Sequence, residues 1–145
     1  MPHYAIRASI GANALDVDAN KGLYLRMIAV NLVTILCLFV AALHFYFLYL
    51  EMFVWEAPRT RAAFGTTAEF AAVSKTLAAN QGLYNGFLAA GIIFTLYIGD
   101  RPALIFWLAC VIVAGVYGAI SVSRRILFIQ AMPAALALIA VLAKL

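Results

Sequence analysis

Charge is what this sequence has least of. Only 11% of its 145 residues are Asp, Glu, Lys or Arg, against 67% hydrophobic residues and a mean hydropathy of +1.02. An average soluble domain is about one quarter charged. A chain this apolar cannot cover its surface with polar groups. The composition therefore points to an integral, multi-pass membrane protein with membrane lipids as its first partners. The length suits one domain.

Histidine and cysteine are scarce as well. The two histidines, His3 and His44, are too few for a histidine-rich iron or zinc site within one subunit, and no metal ligand is assigned. Cys37 and Cys110 lie in apolar runs without a CxxC or other metal-ligand spacing, so they read as thiols that pack like small hydrophobes. The sequence has no phosphate-binding glycine loop and no recognisable Ser-His-Asp set, and no cofactor is implied. Ten Lys and Arg against six Asp and Glu leave a net charge of +4, scattered singly or in pairs. With no basic stripe, nucleic acid is excluded as a partner, and the charges fit headgroup anchoring.

What the chain does have is long apolar runs. Spanning the hydrocarbon takes roughly 20 helical residues. Four stretches qualify: about 27–49, which can extend to Trp55, then 77–98, 102–122 and 126–145. "GDRP" at 99–102 and "SVSRR" at 121–125 divide the last three, and connections this short force antiparallel neighbours. Thr66-x-x-Glu69 has the form of a capping box, so the second helix is expected to begin near Thr67, an interfacial turn or two before the membrane. The expected fold is all-α: a four-transmembrane-helix antiparallel bundle over residues 25–145. Residues 1–24 read as a flexible or interfacial arm, since they lack the compact apolar core of a signal peptide. Lys and Arg divide evenly between the two sides of such a bundle, so the positive-inside rule does not set its orientation.

Polar residues interrupt the second span. In "LAANQGLYNGFLAAG", Ala78, Gly82, Gly86 and Ala90 recur at every fourth position as a seam of small residues, the kind that lets helix backbones approach closely in lipid. Asn80, Gln81, Tyr84 and Asn85 fall beside that seam. Two readings fit these four. They hydrogen-bond to another helix, or they line a ligand pocket, because polar groups at membrane depth face protein or water.

The first span supplies the opposite wall. His44, Leu48, Glu51 and Trp55 follow a 4-3-4 spacing on one helix face. His44 and Glu51, about 10.5 Å apart along the axis, are the candidates for catalytic acid–base work. Their structural alternatives are a hydrogen bond between helices for His44 and interfacial solvation for Glu51. In the third span Tyr117 shares a face with Ser121 and Arg124. In the fourth, Pro133 removes a backbone hydrogen bond and kinks or widens the helix near Gln130. Tyr117 and Gln130 join Trp55 and the four residues of the second span as ligand-binding candidates.

The blocks "LHFYFLYLEMFVWEAPRTRAAFG", "LAANQGLYNGFLAAG", "VAGVYGAISV" and Q-x-x-PA resemble the bacterial and fungal membrane family catalogued as domain of unknown function 1304. The likeness covers roughly residues 25–145, in order. Ala131 departs from it, since that family often has glycine after the glutamine. The resemblance implies a four-helix membrane protein and carries no catalytic roles; the expected location is a bacterial cytoplasmic membrane.

Three functions fit these readings. The first is a polar intramembrane pocket between helices one and two for a small lipidic or amphipathic molecule, with or without acid–base chemistry. The second is a proton-coupled exporter of small molecules, working as a homo-oligomer. The third is an assembly partner of another membrane protein.

Overall fold

The computed structural model describes residues 20–21 and 32–143. Most of the expected arm at 1–24, the expected beginning of the first span near Met27 and the last two residues lie outside the described residues. Among the described residues the chain is all-helical. Helix α1 is Leu32–Met52, α2 Pro58–Phe64, α3 Ala68–Ile98 and α4 Arg101–Ser121. A π-helical turn, Leu127–Ala131, runs directly into α5, Met132–Leu142. Helices α1, α3 and α4 are long and apolar enough to cross a membrane, whereas the joined helix Leu127–Leu142 is shorter.

Local chemistry sets each boundary. Pro58 opens α2, where its missing N–H costs nothing, and Gly65 closes it in the left-handed region at φ 65°. The backbone N–H of Thr66 then bonds the Arg61 carbonyl at 2.9 Å, which finishes α2. Thr67, one residue beyond the expected cap, therefore caps α3, its hydroxyl accepting from the Phe70 N–H at 3.2 Å. In "GDRP", Gly99 (φ 70°) ends α3, Asp100 Oδ1 accepts from the Ala103 N–H at 3.0 Å, and Pro102 occupies the first turn of α4. One tetrapeptide thus stops a helix, turns the chain and starts the next.

Of the two consequences expected of Pro133, a kink or a widening, the helix shows the widening. It cannot donate to a carbonyl in the preceding turn, and the Met132 N–H bonds back to the Leu127 carbonyl, five residues earlier. The π turn that results contains Gln130.

Small residues bring the helices together. Gly82 and Gly86 lie against Leu48, Glu51 and Met52 of α1, Gly91 against Trp107, Gly115 against Ala131 and Gly118 against Ile126. Along α1 and α3, and along α4 and the segment after it, these contacts pair rising residue numbers with falling ones, so those neighbours run in opposite directions. The guanidinium of Arg101 donates to the Val141 carbonyl at 3.0 Å and ties the start of α4 to the end of α5. The core gathers Cys37, Val40 and Ala41 of α1, Ala89 and Ile92 of α3, Leu108 and Val111 of α4, and Ala134 and Ala137 of α5.

The seam on α3 departs from strict fourfold spacing. Ala78, Gly82 and Gly86 are buried, but Ala90 is exposed and Ala89 is buried instead. With 3.6 residues per turn, each fourfold step rotates about 40° away from the contact line, and three steps carry it off the face.

Candidate functional site

The close approach of α3 to α1 builds the site. A Cβ on Gly82 would stand 3.1 Å from both the Leu48 carbonyl oxygen and the Met52 nitrogen, and 3.2 Å from Glu51 Cβ. Glycine lets the two backbones meet there. Asn85, three residues further along α3, then reaches across: its Nδ2 donates to Glu51 Oε2 at 2.7 Å. Asn85 is buried and Glu51 half-buried. Among the described residues the Glu51 carboxyl group has no other hydrogen-bond partner.

A second polar contact joins α1 to the π turn. His44 is 1% exposed, and its Nδ1 lies 2.8 Å from the Val40 carbonyl one turn earlier. A carbonyl only accepts, so Nδ1 carries the proton and Nε2 is left as an acceptor. Gln130 Nε2 stands 3.5 Å from that Nε2, a long contact. The imidazole also meets the Phe47 ring edge-on, with centroids 5.6 Å apart.

Trp55 lies beyond the end of α1, in the turn before α2. Its indole N–H donates to Ser74 Oγ at 3.1 Å, and the Ser74 hydroxyl donates to the Phe70 carbonyl at 2.6 Å. The Trp55 ring meets Phe64 edge-on at 5.0 Å. Ser74 is the residue that the sequence reading left out. A half-buried indole needs an acceptor, and a hydroxyl on the inner face of α3 was the available signal.

The other candidates stand apart from these contacts. Asn80, Gln81 and Tyr84 are exposed on α3, and Tyr117 is 72% exposed on α4. Neither Asn80 nor Gln81 hydrogen-bonds through its side chain to any described residue. The structure thus brings Glu51 to Asn85 and His44 to Gln130, and it places Asn80, Gln81 and Tyr84 on the outer face of α3. At 100° per residue these four side chains spread over an arc of about 140°, and α1 covers only the edge of it that holds Asn85.

The family model described as "Protein of unknown function (DUF1304)" matches residues 38–142, which include Glu51, Asn85, His44 and Gln130. An uncharacterized protein, YpaA, of Lactococcus lactis subsp. lactis (strain IL1403) is 34% identical over 112 residues, covering 74% of this chain and 94% of that protein. No solved structure matches. With most of its length matched by the family model and by this relative, the chain belongs to the DUF1304 family of proteins of unknown function.

Proposed function

We propose that this chain is an integral protein of a bacterial cytoplasmic membrane, a four-span antiparallel bundle that binds a small lipidic or amphipathic molecule at a polar site between α1 and α3. Three helices of spanning length support the membrane assignment, and a bacterial relative fits the location. Leu127–Leu142 supplies the fourth span. At about 1.5 Å per residue it is shorter than a hydrocarbon layer of roughly 30 Å, a mismatch that local thinning of the bilayer accommodates.

The observation that carries the binding site is the pairing of Glu51 with Asn85. Ionisable groups in spans are costly and tend to be retained where they serve a pathway or a ligand. A carboxylate has about four acceptor positions, and Asn85 fills one. The complementary ligand therefore presents a donor, a hydroxyl or an amine, at the head of an apolar body. Any acid–base step falls to Glu51 rather than His44, because Val40 and Gln130 face the two ring nitrogens.

Photolabelling tests this reading. A photoreactive long-chain alcohol or amine, added to membranes containing the protein, labels the wild type and is displaced by its unreactive analogue. Glu51→Gln weakens the labelling. Equal labelling of both, insensitive to competitor, contradicts the site.

A further inference from the structure

The outer face of α3 sets two carboxamides among exposed apolar side chains. Val73, Leu77, Asn80, Tyr84, Phe87 and Phe94 are all exposed, and the first five follow a 4-3-4-3 spacing. This is the period of a helix–helix seam. Val73 and Leu77 are among its most exposed members, at 81% and 74%. Asn80 interrupts the apolar line, Gln81 lies beside it, and neither amide has a partner among the described residues.

With the edge of the hydrocarbon at either end of this stretch, the face is mismatched in a lone subunit. An edge below Asn80 leaves Val73 and Leu77 outside the apolar layer. An edge above Val73 leaves two bare carboxamides inside it, where unpaired polar groups are costly. The end of α1 offers no relief, because Met52 reaches only the level of Gly82 and the line from Val73 to Leu77 continues past it.

We propose that this face of α3 is the interface with a second copy of the same chain. The argument is complementarity. A carboxamide holds both donors and acceptors, so the surface that best satisfies Asn80 and Gln81 is another pair of amides, flanked by the same apolar positions. A single polar residue within an otherwise apolar seam also fixes register between two helices. The interface requires the membrane assignment but no ligand, and it stands if the pairing of Glu51 and Asn85 proves purely structural.

Disulfide trapping in native membranes tests the interface, in a parent with Cys37→Ala and Cys110→Ala. Oxidation with copper phenanthroline converts most of the Asn80→Cys and Tyr84→Cys chains to homodimer. Ile120→Cys, 82% exposed on α4, stays monomeric. Unaltered protein in mild detergent has twice the 15.7 kDa chain mass by light scattering, and Asn80→Leu with Gln81→Leu shifts it toward one. Three outcomes overturn the interface: monomers at Asn80→Cys and Tyr84→Cys, which means that lipid covers the face; an adduct with a different protein; or trapping equally strong at Ile120→Cys.

Discussion

Asn85 Nδ2 donates to Glu51 Oε2 across 34 residues of sequence, joining α3 to α1 one turn from the closest approach of their backbones. Removing the amide and removing the charge have different consequences. Asn85→Leu leaves a half-buried carboxyl group without a partner and costs about 1–3 kcal/mol. Glu51→Gln keeps an oxygen for Asn85 to donate to and costs less. A double-mutant cycle with Glu51→Leu and Asn85→Leu, read by thermal unfolding in detergent, gives a coupling between about 0.6 and about 1.7 kcal/mol, the average and the largest value for such bonds in membranes. Additive effects of the two substitutions mean that the bond does not form.

The glycines make a graded series. At Gly115 a Cβ would stand 2.7 Å from the Ala131 backbone nitrogen, in a place that no side-chain rotation can relieve. Gly115→Ala is therefore the most damaging of three alanine substitutions, costing about 1–3 kcal/mol for overpacking, less about 1 kcal/mol regained in helix propensity. Gly82→Ala meets backbone atoms of α1 at 3.1 Å and falls between. Gly86→Ala meets only the end of the Leu48 side chain, which can move, and is close to neutral. Melting temperatures of the three variants give this order.

Pro133 acts on His44 through the π turn. Pro133→Ala restores an N–H donor, lets the turn return to α-helical register and rotates Gln130 away from the imidazole. Nitrogen NMR of the histidine ring then shows a shifted Nε2 resonance, with Nδ1 still bonded to Val40. Gln130→Leu produces the same shift at Nε2. No change at Nε2 in either variant means that Gln130 does not contact the ring.

The sequence made the helices legible because their ends carry unambiguous chemistry. "GDRP" holds a left-handed glycine, an aspartate cap and a first-turn proline in consecutive order, and α4 begins there. Apolar length located α1, α3 and α4, while α2 escaped notice because seven residues carry no periodic signal beyond Pro58. The beginning of α3 at Ala68 lay near its expected place, but the cap shifted by one residue because closing α2 engages the Thr66 N–H.

The candidate site was legible only in part. Glu51 and Asn85 come together because Gly82 lets the backbones approach, and a small residue beside an amide is visible in sequence. Which amides point inward depends on rotation about the α3 axis. One residue changes that angle by 100°, so Gln81 is exposed and Gly82 buried. The bond from Trp55 to Ser74 joins residues 19 apart through the turn at α2, a geometry that composition and spacing do not encode.

The central claim is that Glu51 and Asn85 hold the polar head of an amphipathic molecule inside the membrane. The most direct measurement is to map the photolabelled residues by peptide mass spectrometry, after reaction with a long-chain alcohol that carries its photoreactive group beside the hydroxyl. The account predicts label on the α1 and α3 peptides that contain Glu51 and Asn85, lost in Asn85→Leu at temperatures where that variant stays folded. Label spread evenly over the lipid-facing residues of α4 and α5, unchanged by Asn85→Leu, would contradict it.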